Sequence, residues 1–190
     1  MLANLHHHYQ TLISAIQRLD GLAPLAIRLF LFFPFVMAGE QKLMNMEETI
    51  YWFEHSLKLP LPTFMAYVAA LTEYVGAFLL LLGLATRIIS IPLLITMLVA
   101  ALAVHWDNGW FAIAQSSDPE VASRLDAARS LLQEHGHYDW LTERGSFVIL
   151  NNGIEFAVTY VVMLLSLLFS GGGRYTSADF WLNKLLFKKD

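Results

Sequence analysis

The sequence contains no cysteine and few charged residues. Asp, Glu, Lys and Arg make up 15% of its 190 residues, against about a quarter in an average soluble domain. The lack of cysteine excludes a thiolate nucleophile, a disulfide scaffold and a Cys-ligated iron–sulfur cluster within this chain. There is no excess of positive charge, since the formal net charge is −4, and 56% of the residues are apolar. These values exclude a nucleic-acid binder and a disordered chain, and they leave a small integral membrane protein.

Long apolar stretches separate the charged parts of the chain. A bilayer core of about 30 Å needs roughly 20 apolar residues in a helix. Four stretches are long enough, so the sequence predicts a single all-α integral membrane domain, a four-transmembrane-helix bundle with spans at residues 22–44, 64–84, 88–106 and 147–170. Pro34 and Pro92 lie inside the first and third spans, where we expect kinks and not breaks.

Short interfacial or extramembrane helices are predicted outside the spans. Residues 1–21 form an amphipathic pattern that predicts an interfacial N-terminal helix. Asn45 followed by Glu48 is typical of a capping box at the start of a short helix between the first two spans. Asp118 marks the start of another helix in the extramembrane loop of residues 107–146.

The distribution of Lys and Arg predicts the orientation. Four spans place both termini on one side, and the termini with the Arg87 turn carry six basic residues, against five in the long loops. The tail of residues 171–190 combines basic and aromatic residues that suit a cytoplasmic membrane surface. We therefore expect cytoplasmic termini, with Trp110 and Trp140 on the outer side.

Polar side chains within the apolar stretches are the candidates for a site, because a charge in the membrane is costly and usually faces a bundle interior. Glu73 lies near the bilayer middle, and Asn152 and Thr159 are spaced to share a helix face with Glu155. The histidines at positions 6–8 point in different directions on a helix, so no metal site is expected. The candidates for acid–base catalysis are Glu73, Glu155 and His105, and those for ligand or cofactor binding are Arg28, Lys42, Glu73, Asn152 and Glu155.

Each candidate also has a structural interpretation. Arg28 could extend to the lipid headgroups, and Lys42 and His105 could be interface residues. Glu73 is too deep to reach water, so we expect it to be neutral or paired. At least one carboxylate should pair with a base or be bridged through Asn152.

The order and spacing of several motifs resemble the DoxX family, over residues 28–179. The matching residues are Arg28, the Gly-Glu-Gln-Lys-Leu run at 39–43, Pro60 and Pro62, Glu73 with Gly76, the Leu-Gly-Leu-Ala-Thr-Arg run at 82–87, and Gly171 to Gly173 with Ser177 and Asp179. This resemblance implies a four-helix bundle in a bacterial inner membrane, related to the small subunit of thiosulfate:quinone oxidoreductase. It assigns no catalytic residues.

Two functions remain open. In the first, the chain is a membrane subunit of a redox or detoxification system, with a quinone in the outer half of the bundle near Glu73 and Glu155, and His105 exchanging protons with the outer aqueous phase. In the second, it is a non-enzymatic membrane anchor or assembly partner for a soluble protein. The insert at 118–144 resembles one branch of the family, which implies a link to metal-binding peptide production.

Overall fold

The computed structural model describes residues 2–187, and this range is about three-quarters helical and contains no strand. The helices are α1 (Leu2–Gln17), α2 (Leu22–Met44), α3 (Met46–His55), α4 (Pro62–Leu82), α5 (Thr86–Val99), α6 (Pro119–His135), α7 (Tyr138–Thr142), α8 (Glu155–Ser170) and α9 (Ala178–Phe187). A π-helical turn, Ala100–His105, and a 3₁₀ turn, Trp106–Asn108, continue α5.

Within residues 2–187, three helical segments are long and apolar enough to cross a membrane: Leu22–Met44, Pro62–Leu82 and Thr86–Asn108. Pro34 and Pro92 lie inside continuous helices, as predicted. The fourth apolar helix, α8, has 16 residues. The prediction of an all-helical membrane protein is therefore confirmed, whereas the fourth span stays a prediction.

The start of the fourth apolar helix differs from the prediction. It begins at Glu155 and not at residue 147. Asn152 has a left-handed backbone with φ of 58°, and the N–H groups of Asn151 and Asn152 both donate to the carbonyl of Ala112. A left-handed residue interrupts a right-handed helix, so the preceding apolar residues remain outside α8.

Both predicted helix starts are confirmed, but the capping box predicted at one of them does not form. The Asp118 carboxylate accepts a hydrogen bond from the Glu120 N–H at 2.8 Å, as expected for the first turn of α6. The Asn45 side chain instead donates backwards to the Gln41 carbonyl, so no capping box with Glu48 forms at α3. The amide of Asn45 satisfies the end of α2 and not the start of α3.

The chain divides into two compact units. The first contains residues 2–97 and 160–187, and the second contains residues 98–159. In the first unit, α4 presents small buried residues such as Ala66, Ala70 and Ala77, which allow close helix contacts in a membrane protein. In the second unit, Leu125 is the buried residue of the charged helix α6.

Candidate functional site

Helices α2 and α4 bring Lys42 and Glu73 together in the first unit. The ammonium of Lys42 donates to Oε2 of Glu73 over 2.5 Å. The Glu73 side chain is 3% exposed and that of Lys42 is 23% exposed, so Lys42 is the more accessible residue of the pair. The predicted pairing of a carboxylate with a base is confirmed, and Lys42 contacts the protein interior.

A close approach of the two helices makes this pair possible. A Cβ atom on Gly39 would lie 2.5 Å from the backbone nitrogen of Tyr74, so a side chain does not fit at this position. Helical side chains tilt toward the N-terminus, which directs Lys42 back toward the level of Gly39. Since Tyr74 follows Glu73 directly, the helix contact and the ion pair occupy the same level of the bundle.

Arg28 belongs to a different cluster. Its guanidinium donates to the carbonyls of Leu80, Leu81 and Thr176 at 3.0, 3.1 and 2.8 Å, and the residue is fully buried. It therefore does not extend to the headgroups. At 1.5 Å per residue, Arg28 and Lys42 are about 21 Å apart along α2, so Arg28 is not part of the Lys42–Glu73 site.

The cluster around Arg28 includes the chain segment that follows α8. Asp179 accepts hydrogen bonds from the backbone N–H groups of Ala85 and Thr86 at 2.6 and 2.9 Å, and its own N–H donates to the carbonyl of Gly83. A carboxylate at the start of α5 satisfies unpaired N–H groups and interacts favourably with the helix dipole. Residues 171–187 are thus a docked segment of the first unit, where the sequence predicts only a tail.

Gly83 explains part of the sequence motif in this cluster. It ends α4 with a left-handed backbone, φ 66°, and a Cβ there would lie 2.5 Å from Nη1 of Arg28 and 2.6 Å from the side chain of Ser177. The Leu-Gly-Leu-Ala-Thr-Arg run and the segment with Ser177 and Asp179 therefore meet in space. Sequence reasoning noted these motifs but did not connect them, because nothing local encodes a contact between distant segments.

The remaining candidates lie in the second unit. Oε2 of Glu155 accepts a hydrogen bond from the backbone N–H of Ala112 at 3.0 Å. Nδ1 of His105 lies 2.8 Å from the backbone carbonyl oxygen of Asn152, to which the side chain of Asn108 also donates. Asn152 precedes α8 and contributes its carbonyl, while its side chain is exposed. The prediction that Asn152 shares a helix face with Glu155 and Thr159 is therefore wrong for Asn152, whereas Glu155 and Thr159 both lie in α8, four residues apart.

The sequence candidates thus fall into three places. Lys42 and Glu73 form an ion pair, and Arg28 donates to carbonyls at the end of α4. In the second unit, hydrogen bonds of His105 to Asn152 and of Glu155 to Ala112 connect two segments of the chain. A cleft in that unit is lined by none of them but by Gln133, Gly136, His137, Tyr138, Asp139 and Trp140. A cavity shared by Glu73 and Glu155 stays a prediction.

The fold and the ion pair define a multi-pass helical membrane protein with a charged pair in its interior. Residues 23–106 match the family model described as DoxX, and this range contains Arg28, Lys42 and Glu73. The predicted resemblance to this family is therefore confirmed.

The chain is also similar to "Putative oxidoreductase CatD" of Bacillus subtilis (strain 168). The two are 40% identical over 70 residues, which is 37% of this chain and 50% of the relative. The match therefore spans about half the length of that curated relative. No solved structure matches the chain.

Proposed function

We propose that this DoxX-like membrane subunit acts in a redox or detoxification system and binds a quinone at the Lys42–Glu73 pair. The observation that carries the proposal is the ion pair itself, which joins two candidate spans and has a nearly inaccessible carboxylate. Ionisable residues inside a membrane are costly, and they commonly mark a ligand or proton pathway. The name of the Bacillus relative agrees with redox chemistry.

The residues of the pair fit a quinone. Lys42 is the more accessible residue of the pair, and its ammonium suits a ligand that offers a carbonyl oxygen as acceptor. An ammonium has three N–H donors, so it can bind Glu73 and a ligand at the same time. A quinone supplies two-electron, two-proton chemistry when bound.

Each residue then has a distinct role. Lys42 holds and orients the ligand oxygen, while Glu73 holds a proton for transfer to that oxygen or takes one from it. The electrons come from a redox partner protein, because the cysteine-free chain has no thiol with which to relay them. Apolar helices around the pair exclude water.

Quinone binding to the purified protein in nanodiscs tests this proposal. Decylubiquinone would be titrated against the parent, Glu73→Gln and Lys42→Met, with Glu48→Gln as a control for an exposed carboxylate on α3. We expect both pair variants to bind at least tenfold more weakly, a change of about 1.4 kcal/mol, and the control to bind normally. Thermal unfolding of each variant separates lost binding from lost structure. Equal binding by all four proteins, or no binding by the parent, would reject the site.

The topology is part of the same proposal. We infer four spans in a bacterial inner membrane, with α8 as the fourth and both termini in the cytoplasm. The apolar sequence of α8 supports it, as do the six basic residues of the termini and the Arg87 turn, against five in the long loops. Single cysteines at positions 87, 110 and 140 in this cysteine-free chain would be labelled from outside intact cells. Only positions 110 and 140 should react, and labelling at 87 would reverse the orientation.

A second function, assembly with a soluble protein, is favoured by the helix α6. This helix carries its charges at the surface and exposes Leu131, which a partner could cover. Deletion of residues 118–144 would then abolish copurification of the partner and leave quinone binding intact. Loss of quinone binding with the partner retained would argue against this function.

A further inference from the structure

Two mostly irregular stretches of the second unit pair with each other. We call residues 106–114 and 147–155 together the corner segment. The backbone N–H groups of the second stretch donate to carbonyls of the first, and Ala114 donates in return to Ile149. The donor–acceptor pairs are Asn151 and Asn152 to Ala112, Gly153 to Phe111, Ile154 to Gly109, and Glu155 to Trp110.

Side chains complete this hydrogen bonding. The Glu155 carboxylate accepts the N–H of Ala112, and the side chains of Asn108 and Asn151 bind backbone carbonyls across the corner segment. At Gly153, a Cβ would lie 2.5 Å from the carbonyl oxygen of Phe111, so the two stretches approach too closely for a side chain. Part of the backbone of the corner segment is therefore hydrogen-bonded internally, which lowers the cost of placing it at the membrane interface and not in the hydrocarbon core.

Many of the exposed side chains of the corner segment are apolar. Exposed aromatic and aliphatic side chains extend from both stretches: Trp106, Trp110, Phe111, Ile113, Val148 and Leu150. Its ionisable carboxylates are Asp107 and Glu155, the second of which is held by a backbone N–H. Tryptophan next to aliphatic residues is typical of the boundary between hydrocarbon and headgroups.

The lengths of the adjoining helices indicate what covers this surface. The candidate span Thr86–Asn108 leads directly into the corner segment, which leads directly into α8. The 16 residues of α8 extend about 24 Å, roughly 6 Å less than a hydrocarbon core of about 30 Å. A helix shorter than the hydrocarbon core is accommodated by local thinning of the bilayer and by residues that flank it at the interface.

We propose that the corner segment lies in the interfacial layer of the bilayer and inserts its apolar side chains into lipid. Its partner is the lipid boundary itself, and its role is to anchor the end of the short helix α8 at the membrane interface. The inference rests on the proposed crossing of α8. A label at Ser170, the last residue of α8, tests that crossing independently.

Site-directed spin labelling tests the proposal in proteoliposomes. Leu150→Cys carries the label in the corner segment, and Leu131→Cys is the matched control on α6. These leucines belong to the same unit and have similar exposures, 71% and 62%. We expect the label at 150 to be several-fold more accessible to oxygen than to a water-soluble nickel chelate, and the label at 131 to give the reverse order. Equal behaviour at both positions would overturn the proposal.

Two further results would also decide the matter. A label at 150 that is shielded from both reagents would mean that protein covers the surface, which also overturns the proposal. If Leu150→Cys does not fold, Ile113→Cys on the other stretch gives the same measurement. If an impermeant thiol reagent outside intact cells labels Ser170→Cys, α8 does not cross in the proposed direction, whatever the result at position 150.

Discussion

Gly39→Ala should weaken the contact between α2 and α4 and disturb the Lys42–Glu73 pair. The new Cβ would lie 2.5 Å from the nitrogen of Tyr74 and 2.8 Å from its Cα and Cβ. Backbone atoms within α4 cannot rotate away as a side chain can. The helices must therefore separate by about 1 Å to restore an ordinary contact distance.

The expected magnitude combines two opposing effects. Overpacking destabilises the folded protein by about 1–3 kcal/mol, whereas replacing glycine by alanine inside a helix stabilises it by about 0.5–1 kcal/mol. The net destabilisation should be about 0.5–2 kcal/mol. Gly76→Ala is the matched control on α4, because its Cβ would meet flexible side-chain atoms of Leu93 and Ile89 at 3.2–3.3 Å. These atoms can shift, so the control should be close to neutral.

Thermal unfolding in nanodiscs measures this difference, and the quinone titration measures its effect on the pair. We expect a lower Tm and weaker quinone binding for Gly39→Ala, with Gly76→Ala close to the parent in both assays. The reasoning would be refuted if Gly39→Ala were as stable as the parent, or if Gly76→Ala were the less stable of the two variants.

Three other changes test the remaining contacts by thermal unfolding. Lys42→Met alone should destabilise the protein more than Lys42→Met combined with Glu73→Leu, because the single change leaves a buried carboxylate without its partner. Such a loss costs about 3–5 kcal/mol in soluble proteins and less in membranes. A double variant that is less stable than the single variant would contradict this. Asp179→Ala should cost about 0.5–2 kcal/mol by removing the acceptor at the start of α5, and an unchanged Tm would argue against its capping role. Arg28→Lys should destabilise the protein, because an ammonium cannot replace the planar set of N–H donors of the guanidinium. Arg174→Lys, at an exposed position, should have little effect. Equal Tm values for the two variants would reject the role of the guanidinium geometry.

The apolar helices could be predicted because membrane insertion depends on local composition. The boundary at residue 147 could not be placed from apolar content alone, since Val148 and Leu150 are equally apolar in an extended segment. The Asn151-Asn152-Gly153 run is a turn signal that could have moved the helix start to Glu155.

The site was predictable in its residues but only partly in its contacts. The depth of Glu73 within an apolar stretch made it a candidate that needed a partner. From the sequence, either Lys42 or Arg28 could be that partner. The close contact of Gly39 with Tyr74 places Lys42, and not Arg28, beside Glu73. The Arg28 hydrogen bonds to Thr176 span 148 residues of chain, a separation at which no local pattern carries information.

That long separation has a consequence for biogenesis. Arg28 enters the membrane with its span, but its acceptor at Thr176 is synthesised 148 residues later. At a translation rate of about 5–20 residues per second, Thr176 is synthesised roughly 7–30 s after Arg28. During that interval, Arg28 depends on water, on lipid or on the insertion machinery. The α4–α5 turn is likewise not capped until Asp179 has been made, so this end of the first unit closes only late in translation.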